Sequence, residues 1–112
     1  MTGEPWVKGF SAAVTVCDAE GIILEMNDKA CRNFAKDGGR ELIGKNVLDC
    51  HPGPARGKLE EMLKNQAANC YTIEKNGVKK LVYQAPWYKD GRYMGFVELI
   101  IELPPEMPHF KR

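Results

Sequence analysis

The sequence lacks the features that suit a protein to a membrane or to nucleic acid. No apolar run approaches the roughly 20 residues that a membrane-spanning helix needs. Its 16 basic and 15 acidic residues leave a net charge of +1 without a long run of either sign, whereas a phosphate backbone or an anionic lipid surface is bound by clustered positive charge. Residues 1–10 contain neither a basic leader nor an apolar segment. We therefore expect a cytoplasmic protein without a nucleic-acid or membrane partner.

The four cysteines form no Cys-x-x-Cys pair of the kind that binds zinc or exchanges disulfides. Because nothing indicates export, we expect reduced thiols. A buried free cysteine behaves as a small apolar residue, so the sequence predicts structural roles for Cys17, Cys31 and Cys70. Cys50 differs from them because it stands beside His51, just before a predicted helix.

Catalytic motifs are missing as well. The sequence has no Gly-rich loop that could hold a phosphate and no cluster of metal-ligating residues. His51 is the only plausible general base, and no nucleophile or orienting acid can be identified with it. We expect a protein that is not an enzyme.

What the chain does contain is an ordered series of short elements within 112 residues, the length of one domain. Apolar runs alternate with turn sequences, of which Asn76-Gly77 is the strongest hairpin signal. Strands, then helices, then strands favour an antiparallel sheet with helices on one face, an α+β architecture. The predicted elements are strands over residues 12–17, 22–26, 70–75, 79–87 and 93–103, a helix starting at Asn27 or Asp28 and stopped by Asp37, a helical turn over residues 40–43, an extended segment over residues 45–50, and the longest helix over residues 54–66.

The last strand has two faces of different character. Strand alternation places Tyr93, Gly95 and every second residue to Leu103 on one face, which we interpret as the core face. The opposite face mixes large apolar residues with carboxylates, which indicates partial cover by the N-terminal segment and by a second copy of the chain. The residues predicted to form this homodimer surface are Met94, Phe96 and Ile100.

Four segments together resemble a PAS domain. Residues 13–22 resemble the first PAS hairpin, and residues 26–30 the helix that begins with asparagine. Residues 41–45 resemble the helical turn that follows, and residues 88–96 the closing hairpin. Each match alone is weak, and their order makes the combination specific.

The resemblance implies a five-stranded antiparallel sheet in the order 2-1-5-4-3, with several short helices and one longer helix forming a pocket on one face. It implies one PAS domain over residues 1–112, with a core over residues 10–103, an N-terminal segment over residues 1–9 and a Pro-rich tail over residues 104–112. PAS domains bind haem, flavins, organic acids or lipids, or no cofactor, so the site must decide the function.

The cofactor expectations follow from the same resemblance. Flavin is disfavoured, because the Asn-Cys-Arg-Phe-Leu type of motif found in light-sensing PAS domains is absent. Haem remains an alternative with His51 as the axial metal ligand, although this histidine stands about one turn before its usual place. The segment Asp49-Cys-His-Pro52 resembles a subgroup that carries a similar sequence at this place.

Two interpretations of Cys50 and His51 stay open at this point. A neutral imidazole or a thiolate is a good ligand for haem iron, and a helix N-terminus stabilises a thiolate. Alternatively, Cys50 packs inward while the His51 ring bonds a backbone carbonyl or Asp49 and closes the turn. By the family layout, the other residues predicted to border the pocket are Asn46, Arg56, Tyr71, Tyr83 and Gln84.

The sequence thus favours a sensory module in signal transduction. It would bind a small molecule or haem in the pocket between helices and sheet, and signal through a homodimer or to a separate protein. Two alternatives remain, a cofactor-free interaction or dimerisation domain and a thiol redox sensor that uses Cys50.

Overall fold

The architecture was obtained as a computed structural model that describes residues 5–51 and 53–112. These residues contain five strands and three α-helices, together with short 3₁₀ turns. The elements are α1 (Pro5–Lys8), β1 (Ala13–Asp18), β2 (Ile23–Met26), α2 (Asp28–Asn33), 3₁₀ turns at Ala35–Asp37, Gly39–Leu42 and Val47–Cys50, α3 (Pro54–Asn65), β3 (Asn69–Lys75), β4 (Val78–Lys89) and β5 (Arg92–Leu103).

The strands form one antiparallel sheet in the order β2-β1-β5-β4-β3, which confirms the predicted α+β class and strand order. The turn between β3 and β4 has the predicted two residues, since Lys75 pairs directly with Val78. Asn76 and Gly77 have φ values of 53° and 78°, and these positive angles are the type I′ geometry that favours Asn-Gly. The longest helix and all five strands lie within a few residues of their predicted bounds.

The segment before α3 differs from its prediction. Residues 45–50 were expected to be extended, but Val47–Cys50 is a 3₁₀ turn. Asn46 causes the difference, because its side-chain Oδ1 accepts a hydrogen bond from the Leu48 N–H at 2.9 Å and starts the turn. His51 follows this turn directly.

Asn27 connects α2, β1 and the N-terminal segment. Its Oδ1 accepts hydrogen bonds from the N–H groups of Val14 (2.9 Å) and Ala30 (3.0 Å). Its Nδ2 donates to the carbonyls of Ala12 (2.8 Å) and Val7 (3.0 Å). The side chain is 3% exposed, so all of its hydrogen-bonding capacity is used inside the protein.

We expect Asn27→Ala to lower the free energy of unfolding by about 3 kcal/mol, because it removes a helix cap and leaves buried backbone groups unpaired. Urea unfolding followed by circular dichroism measures the change. Asn65→Ala is the matched control, since Asn65 is exposed at the end of α3, and its effect should stay within about 0.5 kcal/mol. Equal effects of the two substitutions would contradict the role of Asn27.

The face assignment of β5 predicted from the sequence is wrong beyond Met94. Tyr93 pairs with Tyr88, but Gly95 pairs with Trp87, so Met94 is an extra residue in β5. Such a bulge shifts the alternation by one residue. Tyr93 keeps its predicted inward face, while Phe96 and every second residue after it turn toward the helices instead of away from them.

Phe96 and Ile100 therefore do not form the predicted dimer surface. Phe96 is 7% exposed and packs with Cys17 and Met62, and Ile100 packs against the cluster that contains Ala13. Met94 is the extra residue of the bulge, and strand alternation places it on the face of the sheet opposite to that of Tyr93. The outer face of the sheet, on the side away from the helices, carries Leu81, Tyr83, Leu99, Ile101 and Leu103.

The N-terminal segment contacts the start of α2. Its Val7 carbonyl accepts a hydrogen bond from Asn27. Its Lys8 ammonium lies 3.3 Å from the Asp28 carboxylate. Arg40 contacts the same carboxylate, and these two cations lower the pKa of Asp28, Lys8 contributing most. The first four residues of the predicted N-terminal segment lie outside the described residues.

Candidate functional site

A cavity of about 960 Å³ lies between the helices and the sheet. The side chains of the sheet form its floor, which we define as Thr15, Cys17, Gln84, Phe96 and Glu98. The opposite wall is apolar and forms its roof, which we define as Phe34, Leu42, Leu59, Met62 and Leu63.

The helix α3 supplies three of the roof side chains, Leu59, Met62 and Leu63. Pro54 begins the helix, where its fixed φ suits the first turn. Residues 54–58 are all exposed, and Leu59 is the first residue of the helix that is partly buried. Met62 is 5% exposed and packs with Cys17 and Phe96. Leu59, Met62 and Leu63 thus pack inward, while Ala55 is exposed.

The rim of the cavity includes the segment that the sequence singled out. Lys45, Asp49, Cys50 and His51 all contribute to its lining and are exposed. Pro52, the last residue of the Asp-Cys-His-Pro segment, lies outside the described residues.

His51 has a fixed ring orientation. Its Nδ1 lies 2.8 Å from the carbonyl oxygen of Val47. Because a carbonyl oxygen only accepts, Nδ1 carries the hydrogen, and in the neutral form of the ring Nε2 has the free lone pair. The ring therefore closes the 3₁₀ turn, as one of the two interpretations expected, and retains a nitrogen able to bind a proton or a metal. Cys50 does not pack inward as that interpretation expected, because it is exposed with its Sγ 3.8 Å from the Asn46 carbonyl.

Asn46 lines the cavity, but its side chain is occupied by structural hydrogen bonds. Besides starting the 3₁₀ turn, its Nδ2 donates to the Glu20 carbonyl at 3.1 Å. A Cβ on Gly21 would come within 2.8 Å of Asn46 Oδ1, so the glycine is what lets the hairpin approach this side chain. Asn46 therefore joins the β1–β2 turn to the segment before α3.

Three residues predicted for the pocket do not line it. Arg56 is held outside by the loop, because its guanidinium donates to the Leu48 carbonyl at 3.2 Å and to Asp49 at 3.3 Å. Tyr83 pairs with Leu99 on the outer face of the sheet. Tyr71 pairs with Val82 on the side of the helices, but on the edge strand it is 43% exposed.

Gln84 is the predicted residue that the structure places in the floor, and it belongs to a row of polar side chains. The Gln84 amide donates from Nε2 to Glu98 Oε2 at 2.7 Å, and its Oε1 accepts from Asn69 Nδ2 at 3.3 Å. Glu98 pairs on its other side with Thr15 of β1. Alternation counted along the sequence placed Glu98 on the outer face, because it did not include the bulge at Met94. A glycine inside a strand, here Gly95, is a signal of such a bulge.

The charge of Glu98 acts on its neighbours in the floor and beside it. Burial raises the pKa of the Cys17 thiol, and the negative charges of Asp18 and Glu98 raise it further, against a lowering by a hydrogen bond to the Phe96 backbone. The pKa of Tyr71 is raised by burial and then by Glu98. Cys17 is therefore a buried residue whose thiol form is favoured over the thiolate, consistent with the structural role predicted for it.

In residues 5–51 and 53–112 no three His, Cys, Asp or Glu side chains converge as a metal site would require. None of the helices in these residues is long and apolar enough to cross a membrane.

Comparison with known proteins identifies the fold. No protein-family model matches the sequence, and no match was found among curated proteins. Several solved structures have a fold similar to that of this chain. A C-terminal domain from Streptococcus mutans has a TM-score of 0.71 at 18% identity, over 88% of this chain and 81% of the other. The PAS domain of BvgS from Bordetella pertussis has a TM-score of 0.64 at 19% identity, over 88% and 81%.

A third similar structure is the Aer2 receptor of Vibrio cholerae, described as a dual PAS-haem oxygen sensor. Its TM-score is 0.60 at 19% identity, over 84% of this chain and 96% of that one. The chain therefore has the fold of a PAS domain, as its sequence motifs predicted. At these identities the likeness shows the fold, and the subgroup suggested by the Asp-Cys-His-Pro segment stays a prediction.

Proposed function

We propose that this chain is a cytoplasmic sensory PAS module, one domain over residues 1–112, that binds a small molecule between helices and sheet. The observation that carries the proposal is the cavity of about 960 Å³, which is within the range of small-molecule sites. Its construction supports the same conclusion, because an apolar roof faces a floor with a few convergent polar groups. Its role is binding rather than catalysis.

The outer face of the sheet is the surface proposed for passing the state of the site to another protein. Two of its apolar side chains, Tyr83 and Ile101, are 42% and 37% exposed. β5 contributes alternate residues to this face and to the floor, so movement of this strand would reach both. A homodimer through this face, or a separate signalling protein bound to it, is part of the proposal.

Native mass spectrometry tests the binding proposal. We expect the full chain, incubated with a cell extract of small molecules and then desalted, to retain a small molecule. Thr15→Phe should lose this adduct, because Thr15 lies in the floor and the larger ring would project into the space between floor and roof. Thr72→Phe is the matched control, since Thr72 pairs with Leu81 on the outer face.

Two results would contradict the binding proposal. A chain that retains no adduct would support a cofactor-free interaction domain and contradict the proposal. An adduct kept equally by both variants would show that the molecule binds elsewhere.

Haem is a second candidate ligand, and the fixed His51 ring favours it. The hydrogen bond of Nδ1 to Val47 leaves Nε2 as the atom that would bind the iron, and the roof would contact the apolar part of the macrocycle. Haem would supply a centre for gas binding or electron transfer.

Absorbance decides this candidate. Added haem should give a Soret band that His51→Ala removes and His109→Ala retains, since His109 is the only other histidine and is exposed in the tail. A chain that takes up no haem would reject haem as the ligand.

The redox alternative would instead require alkylation of Cys50 to be much faster than that of Cys70, which is exposed as well.

A further inference from the structure

The floor contains a carboxylate whose charge has no cationic partner. Glu98 Oε2 accepts one hydrogen bond, from the neutral amide of Gln84. The ion pairs found in the described part of the chain do not include Glu98. Its neighbour on the other side, Thr15, is also neutral. A partly buried carboxylate in such surroundings attracts a cation or a further hydrogen-bond donor.

The row of polar side chains has a fixed polarity. Since a carboxylate only accepts, Gln84 must point its NH₂ group at Glu98 and its carbonyl oxygen at Asn69, as the distances show. One N–H group of each amide along the row is thus used within the protein, and acceptor capacity of Glu98 remains for a ligand. A ligand group that bonds the Glu98 carboxylate must donate.

The other charged groups that line the cavity also favour a cationic ligand. Glu98, Asp37 and Asp49 contribute three carboxylates, of which Asp49 is paired with the Arg56 guanidinium at 3.3 Å, whereas Lys45 contributes one ammonium group. Asp37, Asp49 and Lys45 are all exposed, and Glu98 is the charged group that lies in the floor beneath an apolar roof. A ligand carboxylate in the floor would meet like charge without a cation to neutralise it.

On the basis of the binding function proposed above, we infer that the cavity selects small organic amines, whose ammonium group donates to Glu98 and whose apolar body contacts Leu59 and Met62. Charge-assisted hydrogen bonds are about twice as strong as neutral ones, and the apolar roof offers a surface for the apolar body of the amine. The inference concerns the chemical class of the ligand and does not use His51.

A matched set of probes tests this class. We would titrate ¹⁵N-labelled full chain with phenethylamine, 3-phenylpropionate and 3-phenylpropanol, which share a phenylethyl body and differ in charge. Phenethylamine should bind most tightly and shift the amide signals of residues 84 and 98. The propionate should bind at least about tenfold more weakly, the factor typical of one hydrogen bond to a charged group.

Two variants locate the effect. Glu98→Gln should weaken amine binding about tenfold or more and remove the preference over the alcohol, while its new amide oxygen can still accept from Gln84. Glu102→Gln is the matched control on the same strand and face. Glu102 is exposed and pairs with Lys29 at 3.1 Å, so amine affinity should stay unchanged.

Three results would overturn the inference. They are equal affinity for the amine and the acid, unchanged amine affinity in Glu98→Gln, and no binding of the amine at all. An anionic or neutral molecule found in the cavity by native mass spectrometry would overturn it as well, yet leave the sensory binding function standing. A chain that retains no small molecule of any kind would defeat both proposals.

Discussion

Phe96→Glu is expected to prevent folding or to lower the free energy of unfolding by about 4 kcal/mol or more. Phe96 is 7% exposed between Cys17 and Met62, and its ring meets Tyr93 edge-on at a centroid distance of 6.3 Å. The substitution loses this packing, which alone costs about 3–5 kcal/mol for a buried phenylalanine, and it also buries a carboxylate without a partner.

Urea unfolding measures the effect, and Ile101→Glu is the control. Ile101 lies on the same strand, on the outer face, and is 37% exposed, so it should cost far less stability. If Phe96→Glu left the protein folded and only changed its oligomeric state, the inward assignment of Phe96 would be wrong, and the alternation counted from the sequence would be correct.

Gly95→Ala should also destabilise strongly, by about 4 kcal/mol. Gly95 has a φ of 139°, a region that residues with a side chain rarely adopt. A Cβ there would overlap the Cys17 carbonyl oxygen and lie 2.6 Å from the backbone carbon of Asp18. Because β1 is hydrogen-bonded to both β2 and β5, it cannot move away without disturbing the floor.

Gly91→Ala separates the clash from the backbone preference. Gly91 also has a positive φ, 78°, but a Cβ there would meet nothing within 4 Å. Its substitution should cost only the conformational preference, about 1–2 kcal/mol. Similar melting temperatures for the two variants would show that the close approach of β1 to Gly95 is not a constraint.

Most of the architecture could be predicted because its signals are local. Asn76-Gly77 and Asp90-Gly91 set two hairpins through residues with positive φ, and Pro54 marks the start of α3. The strand order could not be predicted from local signals alone, since it depends on which strands meet in space. It came from the resemblance of the combined segments to the PAS family.

The candidate site was predicted less well, for two physical reasons. The bulge at Met94 reverses the faces of β5, so Glu98 was assigned to the solvent side although it lies in the floor. Hydrogen bonds also keep two predicted residues from facing a ligand, because the Asn46 amide is bonded to Leu48 and Glu20 and the Arg56 guanidinium to the Leu48 carbonyl. Gln84 was predicted because its segment borders the pocket in the family layout, and His51 because it stands beside Cys50 just before the longest helix.

A crystal structure of the full chain, purified without removal of bound small molecules, is the most direct test of the central claim. We predict electron density for an organic molecule between Glu98 and Met62, with the space between the floor and the roof preserved. A structure in which Leu59 and Met62 descend onto Thr15 and Gln84, leaving a solid interior, would contradict the account.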